Sequence, residues 1–314
     1  MDCTPLIGQL TGIGHYTKNL LEHLVAQTPD TYVATAFSVR GRGALRAAVP
    51  RAVEVRSRPF PARGLRALWE IGQQPTVGIL AGRCDVFHAT NFVLPPLGRA
   101  AGVLTIHDLA YLTRPDTVAV ASRAYQHLVP QGIDRAAVIC TPSNAVANQV
   151  QEAYRVDADR IAITHLGVDE AWLQVQAPDL AWRNAHGLPN EYLLAVGTIE
   201  PRKNLRYLIE AYRVALRQGI DLPPLVLVGG TGWGSALELD SLPADRVLTP
   251  GHLPLAELRK VVAGASALAF PSLDEGFGLP PLEALACGVP VVCSDIPVTH
   301  EVLGAQGRYV PLDD

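Results

Sequence analysis

Lysine is nearly missing: Lys18, Lys203 and Lys260 are the only three in a chain of 314 residues. Methionine occurs once, aromatic residues make up 6% and charged residues 18%. No apolar run reaches the ~18 residues that a membrane-crossing helix needs, so no spanning segment is predicted, and the first residues do not read as a leader. The five cysteines (Cys3, Cys84, Cys140, Cys287, Cys293) are odd in number and show no paired metal-ligand spacing. They are expected as buried thiols of a reducing cytosol, with no metal site. Low-complexity segments and short-period repeats are absent too. With a net charge of −4, nucleic acid is not an expected partner. What remains is a globular composition, 48% hydrophobic, long enough for two domains that each bury a core.

The charge is unevenly spread. Residues 1–165 carry 16 Lys+Arg against 12 Asp+Glu, while residues 166–314 carry 10 against 18. Eight arginines fall between Arg40 and Arg66, with Glu54 the one acid among them. Such a run reads either as a solvated face or as a surface for anionic lipid head groups or an acidic acceptor.

Along the chain, strand-like and helix-like runs alternate, the pattern of parallel α/β domains. A helix is predicted over 16–26, after Thr11-Gly12-Ile13-Gly14. Strands are predicted near 32–39, 53–56, 85–89, 103–107, 137–140 and 161–166. The second half repeats the style at 192–196, 225–228, 247–248, 267–270, 289–293 and 309–310. The polar stretch with Pro178 and Gly187-Leu188-Pro189 reads as a connection. The expected division is therefore 1–168, a linker over 169–190, and 191–314.

The most informative stretch runs from Pro271 to Ser294 and contains Glu275-Gly276-Phe277-Gly278-Leu279-Pro280-Pro281-Leu282-Glu283. Two buried strands flank a glycine loop and a short helix, predicted over 281–287 because Pro281 disfavours a helical Pro280. Gly288 suits the left-handed residue after it. Glu283 is placed in the first helical turn and Glu275 in the loop, so both carboxylates face one site at the carboxyl end of a strand. The amides of Gly276, Phe277 and Gly278 would add an anion site there. A glutamate in a first turn also suits the helix dipole with no function at all.

Other strand ends carry chemistry. Gly197-Thr198-Ile199-Glu200-Pro201-Arg202-Lys203 delivers two cations to a helix start, where they oppose the macrodipole unless an anion binds; an exposed cationic pair is the plain alternative. His107-Asp108 ends a buried strand, where a histidine is often held by a backbone carbonyl; His88-Ala89-Thr90-Asn91 ends the preceding one. Gly12-Ile13-Gly14 is half of a dinucleotide fingerprint, with Thr17 at the third glycine position. Gly229-Gly230-Thr231-Gly232-Trp233 and Gly251-His252-Leu253 follow buried strands, where turn chemistry alone can demand glycine.

Taken together, the Glu275-x7-Glu283 string, Glu200-Pro201-Arg202-Lys203 and the Thr11-to-Gly14 loop resemble the signature of the family-4 group of retaining glycosyltransferases, which includes bacterial mannosyltransferases. The resemblance covers nearly the whole chain and is most specific at 195–205 and 264–296. It implies the α/β GT-B fold, two Rossmann-like domains with parallel sheets facing a central cleft. It implies catalytic roles for His107, Arg202, Lys203 and Glu275. Donor-binding roles would fall to Gly12, Gly14, Gly276, Phe277, Gly278, Leu279, Glu283, Gly251 and Leu253. Glu283 would hold the nucleotide ribose, and Arg202 and Lys203 the diphosphate. Hexose transfer would retain configuration by attack from the leaving-group face, without a protein nucleophile, metal or cofactor. GDP-mannose is the first donor expected, ahead of other GDP- or UDP-hexoses, and the acceptor is a glycan or lipid-linked molecule of polysaccharide biosynthesis. The expected location is the cytoplasm, from the cysteines, with peripheral contact to the inner membrane face through the basic 40–66 segment.

Two other classes stay open: a nucleotide-sugar 2-epimerase of the same architecture, and a non-catalytic nucleotide-sugar-binding chain. A dehydrogenase is disfavoured, since no complete Gly-x-Gly-x-x-Gly follows a strand. Against the family pattern, the first strand and the last helices are expected to be missing, and the first domain to be poorly stable alone.

Overall fold

The structure, a computed structural model, describes residues 1–312 except Gln9, Arg40, Ser235 and Ser241, and except the side chain of Arg42. Arg40 of the basic segment and the terminal Asp313-Asp314 thus lie outside the described residues. The chain divides into two compact units, residues 1–109, 121–142 and 146–164 in the first and 110–120, 143–145 and 165–314 in the second.

The second unit is built on one six-stranded sheet. Its strands are β7 (Leu193–Val196), β8 (Leu225–Val228), β9 (Val247–Gly251), β10 (Ala267–Phe270), β11 (Val291–Ser294) and β12 (Gly307–Val310), in the order β12-β11-β10-β7-β8-β9. Every pairing is parallel. The alternation of side chains along a strand explains why β8 reads as an unbroken apolar run. Val226 and Val228 join a core with Leu194, Leu268, Phe270 and Val291. Leu225 and Leu227 face the other way, onto Leu205, Ile209 and Tyr212 of the helix Leu205–Arg217. Both faces are covered, as a parallel sheet requires.

Three expectations are corrected here. The stretch 169–190 is no irregular linker: it forms helices Glu170–Gln174 and Leu180–Ala185, capped by Asp169 and Asp179. Trp172 and Leu188 join the core of the second unit. The short helix runs over Leu279–Ala286, with Pro280 and Pro281 inside its first turn. First-turn N–H groups have no intrahelical acceptor, so proline loses nothing there. Glu283 consequently sits in the second turn. Finally, β11 begins at Val291 rather than Val289, because Val289 N still bonds Ala284 O of the preceding helix and Pro290 has no donor. Gly288 does take the left-handed conformation, at φ 74°.

The first unit carries β3 (Val86–Ala89), β4 (Ala101–Thr105), β5 (Val138–Thr141) and β6 (Ile161–Ile163) in a parallel sheet in that order, plus the pair β1 (Val33–Ala34) and β2 (Glu54–Val55). Met1–Cys3 run between the two sheets: Thr35 N donates to Met1 O, Cys3 N to Thr35 O, and Asp2 N to His88 O. The predicted strand over 32–39 shrinks to two residues because Phe37 N turns to the Thr4 hydroxyl at 2.9 Å. The helix Gly12–Gln27 starts within the glycine loop itself, four residues before its predicted start.

Candidate functional site

Strand order reverses between β7 and β10, the switch point where an open α/β sheet leaves a crevice at its carboxyl edge. The loop after β7 and the loop after β10 both start there. Gly229, at the end of β8, keeps the edge tight: a Cβ on it would lie 1.8 Å from Gly197 O.

From β7, the 3₁₀ turn Pro201–Lys203 presents both cations, and Asn204 takes a left-handed conformation before the next helix. Arg202 Nη1 donates to Glu275 Oε2 and to Asp274 O, each at 2.8 Å. Lys203 Nζ donates to Glu275 Oε1 at 2.5 Å and stands 5.3 Å from the centre of the Phe270 ring. Glu200 completes the cluster: its Oε1 lies 3.0 Å from Arg202 Nη2, an ion pair. Burial raises the Glu275 pKa, yet Arg202 and Lys203 outweigh it and hold the carboxyl at about 2. Burial pushes Glu200 up, with the same two cations opposing.

The loop after β10 supplies the rest. Gly276, Phe277 and Gly278 are buried, and their three amides donate to no group among the described residues. Gly278, at φ 92°, is the residue before the helix, a conformation that suits only glycine, and half-buried Leu279 opens the first turn. The Ser143 hydroxyl donates to Gly276 O at 2.8 Å, and Thr113 Oγ1 to Asp274 Oδ2 at 2.7 Å. These bonds fix the loop in place.

Glu283 has different surroundings from Glu275. Arg259 Nη2 donates to Asp169 Oδ2 at 2.6 Å and lies over the Trp172 ring. That leaves the Glu283 carboxyl with no hydrogen bond or ion pair among the described residues. Burial raises its pKa to about 7, against a lowering by Arg259 and with a further rise from Asp169. The structure therefore brings Arg202, Lys203 and Glu275 into one bonded cluster and gives Glu283 a separate, poorly solvated setting. Gly251 O accepts from Gly229 N at 2.9 Å, so Gly251 joins the β8 edge of the crevice, while Leu253 packs on the core.

In the first unit, His107 Nε2 lies 2.8 Å from Thr90 O, and since a carbonyl only accepts, Nε2 carries the proton. Burial lowers the ring's pKa, so it is neutral with Nδ1 as an acceptor. Tyr16 packs edge-on against it at 5.0 Å. His88 is likewise kept neutral, pushed down to about 4 mainly by burial, and pairs with Thr105 Oγ1 at 2.7 Å. Gly12 faces open space, while Gly14 packs so closely that a Cβ would meet Pro5 O at 2.9 Å. Among the described residues, no group of three His, Cys, Asp or Glu stands where it could hold a metal.

Residues 10–172 match the family model Glycosyltransferase Family 4, and residues 178–310 match the model Glycosyl transferases group 1. This chain belongs to glycosyltransferase family 4. The family-4 chain is 32% identical over 244 residues to O-antigen chain mannosyltransferase B of Escherichia coli, covering 73% of this chain and 62% of that protein. It is 31% identical over 216 residues to O-antigen chain mannosyltransferase RfbU of Salmonella typhimurium, covering 67% and 57%. The chain thus spans less than two thirds of the length of either relative. Its fold is GT-B: it superposes on sucrose-phosphate synthase from Thermosynechococcus elongatus with a TM-score of 0.71 at 18% identity, covering 100% and 85% of the two chains. For WaaG, a glycosyltransferase of lipopolysaccharide biosynthesis, the TM-score is 0.70 at 17% identity, covering 97% and 84%.

Two parts of the candidate site in the second unit were not evident from the sequence. Glu200 pairs with Arg202, and its place two residues ahead of the cations was the available signal. Asp274, beside Glu275, joins Arg202 and Thr113, which no local pattern announces because Thr113 lies 161 residues away.

Proposed function

We propose that this family-4 chain transfers a hexose, mannose first, from a nucleoside diphosphate sugar to a glycan or lipid-linked acceptor, with retention and without a metal or cofactor. The observation that carries this is the bonded Arg202–Lys203–Glu275 cluster beside the unpartnered amides of Gly276, Phe277 and Gly278. As the anomeric C–O bond breaks, its electron pair passes to the diphosphate oxygen. Fixed cations and amides meet that charge without reorganising, which lowers the barrier. In this reading Glu275 orients the sugar and Glu283 receives the ribose hydroxyls, while in the first unit His107 offers Nδ1 as an acceptor to a hydroxyl. The two relatives named as mannosyltransferases support the choice of sugar. The test is product analysis by NMR with GDP-mannose, UDP-glucose and ADP-glucose beside an acceptor glycan. An α-configured product from the α-donor supports the proposal; a β-configured product, or nucleotide-sugar epimerised without acceptor, overturns it.

The charge supplied by Arg202 and Lys203 leads to an expected result: transfer persists in excess EDTA. Activity lost on chelation and restored by Mg²⁺ would contradict the reading.

Glu283 carries a second expectation, with opposite signs for stability and binding. Its folded-state value of about 7 lies above the ordinary 4.5, so ionising it costs stability as pH rises through that interval. Glu283→Gln should therefore melt higher than wild type above pH 7, yet bind nucleoside diphosphate more weakly. Wild-type affinity should rise more steeply with pH through about 7 than the variant's, whose remaining slope is that of the ligand's terminal phosphate. Isothermal titration and thermal melts across pH check both halves.

Membrane contact is proposed from the exposed Arg51, Arg58 and Arg63 together with exposed Phe60, Leu68 and Ile71. Other arginines of the segment are engaged, Arg46 with Val53 O and Arg56 with Glu54. No described helix is long and apolar enough to cross a membrane. Co-sedimentation with phosphatidylglycerol vesicles but not phosphatidylcholine vesicles is expected; equal recovery from both would refute electrostatic docking.

A further inference from the structure

The first unit holds a cavity of about 250 Å³ whose walls include Asp2, Thr4, Thr11, Arg66, Trp69 and Asn91. Two of its side chains lack the partners their chemistry calls for. The Asn91 side-chain oxygen is buried without a hydrogen bond. Arg66, half-buried on the helix Ala62–Ile71, makes no hydrogen bond or ion pair among the described residues; it lies 5.5 Å from the centre of the Tyr125 ring and interacts with the Asp2 carboxylate through charge alone. The Asp2 carboxylate on the same wall feels that charge but takes no hydrogen bond from it: Asp2 Oδ1 accepts from Thr4 N at 2.9 Å and Thr4 Oγ1 at 2.6 Å. A half-buried guanidinium whose donors meet no acceptor can still take one, and its planar fork suits a carboxylate or phosphate. A buried amide oxygen without a donor calls for a hydroxyl.

We propose that this cavity binds the acceptor as a single glycosyl ring bearing a phosphate or carboxylate, with Arg66 on the anionic group and Asn91 Oδ1 accepting from a ring hydroxyl. The proposal rests on the transferase reading above and names the acceptor class for it. The volume suits one ring with its substituent, below the usual range for drug-sized ligands. Thr11 offers a further hydroxyl on the wall, and the Trp69 side chain gives it an apolar face.

The test is direct binding to the full chain, without donor, of methyl α-mannoside, mannose 6-phosphate, methyl glucuronoside and inorganic phosphate, by titration calorimetry or ligand-observed NMR. The two charged sugars should bind at least about tenfold tighter than the neutral glycoside, the scale of one charge-assisted contact. Arg66→Gln should erase that preference, Arg66→Lys should keep part of it, and Asn91→Ala should weaken all three sugars alike. Arg99→Gln, exposed and away from the cavity, should change nothing. Equal affinity for charged and neutral sugars, no sugar binding, or phosphate alone binding as tightly as mannose 6-phosphate would each overturn the proposal. The wild-type comparison and Arg66→Lys decide the matter even if Arg66→Gln fails to fold. Nucleoside diphosphate binding, measured on the same samples, reports on the second unit. If it persists while the charged sugars fail, the acceptor proposal falls and the transferase reading stands.

Discussion

Lys203→Ala is expected to lower kcat by about two to three powers of ten, the scale of removing one preorganised oxyanion donor. The side chain is held on three sides: by Glu275 at 2.5 Å, by the Phe270 ring, and along its stem by Gly197, where even a Cβ would approach Lys203 Cε to 3.3 Å. An ammonium fixed in this way needs no reorganisation when charge develops on a departing diphosphate. Its loss should also weaken nucleoside diphosphate binding by about tenfold or more, as for a charged hydrogen bond. Steady-state kinetics at saturating donor, with titration of the bare nucleotide, measure both effects. An unchanged kcat would remove Lys203 from the site.

Glu275→Gln is expected to be costly in a different way. The carboxylate neutralises two cations that are mostly withdrawn from solvent, with side-chain exposures of 15% for Arg202 and 14% for Lys203. Breaking such a buried pair costs about 3–5 kcal/mol, or roughly 10 °C in the melting of a domain this size. The pH dependence follows from the depressed pKa. Glu275 contributes its full stabilisation above the ordinary value of 4.5 and loses it as pH falls through the folded-state value of about 2. The gap in melting temperature between wild type and Glu275→Gln should therefore be widest above pH 4.5 and should narrow in stronger acid. Sugar transfer should fall more than binding of the bare nucleotide. A variant that melts and turns over as wild type does would show the ion cluster to be ornamental.

Much of this was legible before any coordinates. The parallel α/β plan followed from apolar runs such as Leu225–Val228, which only a sheet covered on both faces can bury. The Arg202-Lys203 pair and Glu275 stood out because cations at a helix start, and a carboxylate in a glycine loop, lack a cheaper explanation together. The failures have local causes. Pro280-Pro281 read as a helix boundary, since the rule against proline after a helical residue ignores the free amides of the first turn. Residues 169–190 read as a linker because two short helices, each stabilised by one aspartate cap, leave no periodic signature. The bond between Thr113 and Asp274 and the isolation of Glu283 behind the Asp169–Arg259 pair depend on contacts distant in sequence, which no window along the chain contains.

The most direct measurement is the affinity of the full chain for GDP against GMP by titration calorimetry, with UDP and UMP in parallel, in wild type and Lys203→Ala. If the crevice between β7 and β10 is a diphosphate site, the nucleoside diphosphate should bind wild type about 10- to 100-fold tighter than its monophosphate, one or two charge-assisted contacts. Lys203→Ala should lose most of that difference while keeping its affinity for the monophosphate. Equal binding of di- and monophosphate by wild type, or a preference untouched by Lys203→Ala, would contradict the assignment of this crevice to the donor.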